Sequence, residues 1–119
     1  MKTTRSLQVT DEVISTYADA ALDWNPIHFD DQFAQLRGLD SRIAHGMISG
    51  SLISALMTDL RGEDWLQHGE LTLKFIKPCA PNQRVSASAA ETEEPGVYKV
   101  TATDESGAAL IAGTASIEP

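Results

Sequence analysis

The chain of 119 residues carries 17 acidic against 9 basic side chains, a formal net charge of −8. That balance excludes the basic stripe of a nucleic-acid binder and disfavours an anionic membrane surface. It leaves room for an anionic ligand met by a local basic patch, because screening limits long-range repulsion to roughly 10 Å.

At 42% hydrophobic and 22% charged residues, the composition is that of one soluble globular domain spanning 1–119. The single cysteine, Cys79, allows no intrachain disulfide and no cysteine-based zinc site. It agrees with a reducing cytoplasm, the expected location. Met1 to Ser6 has the charge of a signal peptide without an apolar core behind it. The apolar run from Met47 to Leu60 is broken by Ser49, Gly50, Ser51, Ser54 and Asp59 and is too short for a bilayer.

In chain order, Leu7 and Val9 alternate with polar neighbours and predict a short strand over Ser6 to Val9. Thr10 is placed to cap a helix, with Asp11 and Glu12 in its first turn. Val13, Ile14, Tyr17, Ala18, Ala21 and Leu22 then recur at helical spacing, which predicts an amphipathic helix from Asp11 to Leu22. Asp30 or Asp31 caps a shorter helix through Phe33 and Leu36 that Gly38 ends, and Leu39 to Arg42 is a loop. From Gly46 to about Leu60, Met47, Ile48, Leu52, Ile53, Leu56 and Met57 cover more than one face among small residues. A helix apolar nearly all round is buried, so a sheet is expected to wrap it. Arg61 to Gly69 reads as a polar connector anchored by Trp65.

Strands follow. Leu71, Leu73 and Phe75 alternate up to Pro78, then Val85, Ala87 and Ala89, then Tyr98, Val100 and Ala102 after the Glu94-Pro95-Gly96 turn. Ala108 to Ile117 follows the turn at Glu105-Ser106-Gly107. The expected fold is α+β: one early strand, helices, and four strands in an antiparallel meander around the buried helix. The sheet's free edge and outer face need cover, which predicts a homodimer.

Chemistry concentrates in two short runs. Asp23-Trp24-Asn25-Pro26-Ile27-His28 sets a carboxylate and an imidazole on either side of a rigid corner. Pro26 fixes its own φ and drives Asn25 out of the helical region, so the chain turns there and can aim both groups at one point. A carboxylate beside a histidine suits a site that holds one water and moves its proton. In Ile43-Ala44-His45-Gly46-Met47, a glycine opens the apolar helix, leaving backbone N–H groups free to face an oxygen. His45 reads as a structural residue bonding backbone, and His68 as solvated. A metal site of Asp23, His28 and Asp30 lacks any supporting ligand spacing, so no metal is expected. Arg42, Lys74, Lys77 and Arg84 read as solvated surface charges.

Together the two runs resemble the MaoC-like group of hot-dog-fold proteins, which contains (R)-specific enoyl-CoA hydratases and 3-hydroxyacyl-thioester dehydratases of fatty-acid and polyketide synthesis. The match runs from about Tyr17 to Ser54, and Leu71 to Pro78 also fits. The resemblance implies a single hot-dog domain and a catalytic dyad of Asp23 and His28. Asn25 would help hold the dyad, the Gly46 N–H would donate to a thioester carbonyl, and Ser54 would lie near the dyad. It implies syn addition of water to a trans-2-enoyl thioester, or the reverse. Coenzyme A or carrier-protein pantetheine would be part of the substrate, with no separate cofactor. Two departures are a short segment before the first helix and a brief Arg61 to Gly69 connector, both of which shape the acyl tunnel or its rim. A hot-dog thioesterase would place a carboxylate in or beside the central helix, where this chain has none between Gly46 and Thr58. A non-catalytic acyl-thioester-binding partner would be expected to lose Asp23 or His28, and both are kept.

Overall fold

A computed structural model describes residues 3–118 of the chain; Met1, Lys2 and Pro119 lie outside the described residues. Strand β1 (Thr4–Val9) gives way at Thr10, whose hydroxyl accepts the Val13 N–H at 3.2 Å and opens helix α1 (Asp11–Ala21). The helix stops one residue short of the expected Leu22, which takes a left-handed φ of 56° and reverses the chain. A single turn of 3-10 helix (Pro26–His28) follows, then α2 (Asp31–Leu36), capped by Asp30 through the Phe33 N–H at 3.1 Å. Gly38, at φ +87°, then takes the chain out of the helix.

Helix α3 (Gly46–Arg61) is the axis of the molecule. Ile53, Leu56 and Met57 on it are fully buried, and Ile48, Ser49 and Leu52 are nearly so. The concave face of the sheet supplies the other half of the core. Val85, Ala87 and Ala89 come from β3 (Gln83–Glu91), Tyr98, Val100 and Ala102 from β4 (Val97–Thr103), and Leu110 and Ala115 from β5 (Ala109–Ile117). The alanines let the sheet curve closely around the helix, where longer side chains would hold it off.

Three expectations need correction. The residues from Arg61 to Gly69 are not an irregular connector: Glu63–His68 forms a short helix, α4. Trp65 within it is buried, and its indole N–H donates to Ser54 Oγ at 3.0 Å. Gly69 is needed directly after, because a Cβ there would collide with the Trp65 ring and carbonyl. The strands also do not form a simple meander of four. All pairs are antiparallel, but the order is β1-β3-β4-β5-β2, so β2 (Gly69–Phe75) crosses to the far side and pairs with β5. Gly113 on β5 permits this pairing, since a Cβ would run into the Thr72 backbone of β2.

Finally, the outer face of the sheet needs no cover. It is built of short hydroxyl side chains that bond across strands, Ser6 with Ser86 at 3.0 Å and Ser88 with Thr101 at 2.7 Å. Of the two edge strands, β1 and β2, the β2 end is the one beside which Leu66, Phe75 and Ile76 stand exposed.

The loop from β4 to β5 is tied by Asp104. Its carboxylate accepts from Ser106 Oγ at 2.6 Å, the N–H groups of Ser106 and Ala108 at 2.9 and 3.1 Å, and Lys77 Nζ at 3.3 Å. These donors, the Ser106 hydroxyl foremost, hold its pKa down from 3.8 to about 2. A carboxylate lowered on folding stabilises fully above its unfolded pKa and loses that contribution as pH falls through the folded one. Asp104→Asn is therefore expected to melt below wild type at pH 6, with the gap closing between pH 4 and 2 in thermal scans. A gap unchanged down to pH 2 would contradict this role.

Candidate active site

The loop that leaves α1 is shaped by its own polar side chains. Asp23 Oδ1 accepts the Asn25 N–H at 3.3 Å, and Asn25 Oδ1 accepts the Ile27 N–H at 3.1 Å, two successive Asx turns leading into the Pro26 corner. The Asn25 carbonyl then accepts the His28 N–H at 3.0 Å. Asn25 thus shapes the corner through both its side chain and its carbonyl.

His28 is buried, and its Nδ1 lies 2.8 Å from the Ile43 carbonyl. A carbonyl only accepts, so Nδ1 carries the proton and Nε2 presents a bare lone pair. That lone pair faces Asp23 Oδ2 at 3.8 Å. The separation is too long for a hydrogen bond, and both atoms are acceptors. A water donating one O–H to each would satisfy both and leave its own lone pair directed outward. The Asp23 side chain is half exposed, so this point is open to the cleft.

The cleft is about 340 Å³ in volume and is lined by Tyr17, Asp23, His28, His45, Gly46 and Phe75, among others. Gly46 is the first residue of α3 and is itself exposed there. Its N–H is one of the donors a helix start leaves without a partner in the helix. A Cβ at this position would stand 2.9 Å from the Phe75 ring, so the glycine lets that ring close over the helix mouth. Asp23, His28 and Gly46 are therefore brought into one cavity.

Ser54 is not. It lies eight residues along α3, about 12 Å of helix from Gly46, and its hydroxyl is engaged by Trp65. The serine that does approach the helix mouth is Ser49, 3% exposed. Ser49 lies three residues from Gly46 and shares a cavity with it, whereas Ser54 lies eight away and is engaged by α4.

The sequence reading also missed how closely His45 belongs to the site. Its Nε2 lies 2.9 Å from the Asp23 carbonyl oxygen, so it does bond backbone, but its ring stacks on His28 with centroids 3.7 Å apart. Donor atoms of Asp23, His28 and His45 lie within 4.8 Å of one another, whereas Asp30 is occupied as the cap of α2. Within this cluster His45 Nε2 already donates to the Asp23 carbonyl, so the acceptors left facing the cleft are Asp23 Oδ2 and His28 Nε2. Arg42 and Lys77 are ion-paired, to Asp11 at 2.7 Å and to Asp104 at 3.3 Å.

One antiparallel sheet folded around a long helix, with a polar loop over the helix mouth, defines a hot-dog fold. The (R)-hydratase of A. caviae involved in PHA biosynthesis has the same fold, with a TM-score of 0.76 at 23% identity over 97% of this chain and 92% of that one. Residues 1–109 match the MaoC like domain, and the chain belongs to that family. It is 31% identical over 114 residues to the (R)-specific enoyl-CoA hydratase of Rhodospirillum rubrum, covering 92% of this chain and 78% of the relative. A 47-residue stretch is 38% identical to the mitochondrial 3-hydroxyacyl-[acyl-carrier-protein] dehydratase of Arabidopsis thaliana, covering 40% of this chain and 28% of the relative.

A second, apolar cavity of about 270 Å³ shares Gly46 and Phe75 with the cleft and runs back to Ser49, Cys79 and Leu110. Burial, and after it the charge of Asp104, pushes the Cys79 thiol up to about 11. At pH 8 the native protein should therefore alkylate with iodoacetamide about a hundredfold more slowly than in denaturant. Comparable rates in the two states would show that this cavity does not shield the thiol.

Proposed function

We propose that the chain is a hydro-lyase acting on acyl thioesters, adding water across a trans-2-enoyl thioester to give the (3R)-3-hydroxyacyl thioester, or catalysing the reverse. The observation that carries this reading is the pair of bare acceptors, Asp23 Oδ2 and His28 Nε2, 3.8 Å apart in a cleft that also holds the Gly46 N–H. The (R)-specific hydratase among the relatives supports it.

In the hydration direction, a water held between the two acceptors attacks C3 with its outward lone pair. The π electrons of the C2–C3 bond move onto the thioester as an enolate. The proton leaving the water passes to the dyad, and one proton returns from the dyad to C2. Oxygen and both hydrogens of one water are thereby added, and no redox partner is required. Negative charge gathers on the thioester oxygen in the transition state, where a fixed N–H dipole binds it more strongly than it binds the ground-state carbonyl. Loss of such a donor typically costs about 3 kcal/mol.

A thioesterase is disfavoured because the first carboxylate on α3 is Asp59, near its far end and paired with Arg5 at 2.8 Å. The working form is proposed to be a homodimer through the open β2 edge, where Leu66, Phe75 and Ile76 are exposed. Phe75 lines the cleft as well, so dimerisation would also close its rim. A cytoplasmic setting accords with a lone thiol and a coenzyme-borne substrate. Among the described residues, no helix is long and apolar enough to cross a membrane.

Purified protein given crotonyl-CoA should lose the conjugated enoyl absorbance without releasing free thiol. Thiol release would select the thioesterase, and silence on short, long and carrier-bound enoyl thioesters would select a binding partner. Asp23→Asn and His28→Ala should each lower turnover at least about a hundredfold, the scale of general acid–base catalysis. Near-normal rates in either variant would remove the dyad from the reaction. Light scattering should give the mass of two chains, and a monomeric mass would end the dimer proposal.

A further inference from the structure

We infer that His45 is a positioning residue that sets the distance between the proton-handling pair and the oxyanion donor, an inference resting on the hydratase reading. Three observations on one side chain carry it. Its Nε2 lies 2.9 Å from the Asp23 carbonyl oxygen. Its ring lies flat against His28, 3.7 Å between centroids and 27° between planes. Its Nδ1 is buried with no hydrogen-bond partner among the described residues.

The first observation defines the tautomer. A carbonyl oxygen cannot donate, so Nε2 carries the hydrogen and Nδ1 is a bare acceptor. The third shows that an imidazole is a poor choice here for stability alone. A buried acceptor with no donor opposes folding, and an apolar side chain of similar size would avoid it. The residue is 3% exposed and packs against the Tyr17 ring at 4.9 Å, so the site would accept such a replacement readily. What the imidazole adds is the bond to Asp23 and the face offered to His28.

Those two contacts matter because of where His45 sits. It immediately precedes Gly46, whose N–H is the proposed oxyanion donor. The Asp23 N–H is held by the Ala18 carbonyl at 3.0 Å, at the end of α1, and His28 is held by Ile43. The Asp23 carbonyl is held by His45. One residue therefore links the carboxylate and the imidazole to the helix mouth and fixes their common distance from Gly46. Without its side chain the Gly46 N–H stays in place, because the helix still starts there. The thioester would still bind, but the dyad would no longer be registered over C2 and C3. Misregistration of reacting groups slows turnover without weakening binding.

Two variants and a spectrum test this. His45→Leu is expected to lower kcat for crotonyl-CoA hydration at least tenfold, to leave KM within threefold and to melt no lower than wild type. His45→Gln, whose amide reaches about as far as Nε2 and can donate to the same carbonyl, should recover most of the lost kcat. A His45→Leu enzyme with kcat within threefold of wild type would overturn the inference, as would a Gln variant no faster than the Leu variant.

Long-range nitrogen–proton NMR of the wild-type protein reads the tautomer without activity. The Nε2–H form is expected, and an Nδ1–H form would overturn the inference even if neither variant folds. Wild-type protein inactive on every enoyl thioester, with His45 in the Nε2–H form, would sink the proposed reaction while leaving the anchoring of Asp23 supported.

Discussion

The hydrogen bond of 2.8 Å from His28 Nδ1 to the Ile43 carbonyl decides what this molecule can do. It places the imidazole proton on the side away from the cleft and turns a bare Nε2 toward Asp23. Reversing it would put an N–H against the carboxylate, the two groups would close on each other, and no water would be needed between them. The bond is backed by a second one in the same place, from the Ile43 N–H to the Ile27 carbonyl at 3.1 Å. The loop and the segment leading into α3 are thus stitched together over a short distance, and the chemistry depends on that seam.

The rest of the fold serves to keep the seam still. The middle of helix α3 is buried against the alanines and valines of the sheet and its first residue opens on the cleft, so its mouth is a fixed point. The sheet curves around it because its inner face alternates small and branched side chains, while the outer face remains polar through paired hydroxyls. The Trp65 indole closes the far end of α3 and ties α4 to it through Ser54. Between them, these contacts leave the polar loop as the part of the site built on turns, and that loop is fastened from three sides: α1 through Ala18, Ile43 and His45.

Local chemistry was legible in the sequence and long-range pairing was not. Thr10, Asp30 and Pro26 act on neighbours two or three residues away, so the helix starts and the bend could be read from residue type. The inward faces of β3 and β4 followed from alternation alone. The position of β2 could not, because alternation says which face is buried and nothing about which strand lies alongside. The six residues of α4 are too few to hold a helix alone and are fixed by the burial of Trp65, a tertiary contact. The bond from Trp65 to Ser54 was hidden for the same reason, since the two residues are eleven apart in the chain. His45 was rightly read as bonding backbone, yet that the backbone belongs to Asp23, and that the ring would lie on His28, depends on the loop folding back over the helix.

The central claim is that Asp23 and His28 act on a thioester whose carbonyl rests on the Gly46 N–H. A crystal structure of Asp23→Asn soaked with crotonyl-CoA tests it most directly. The carbonyl oxygen should lie within hydrogen-bond distance of Gly46 N, with C3 facing His28 Nε2. A thioester bound with its carbonyl away from the mouth of α3, or with C3 out of reach of His28, would contradict the account.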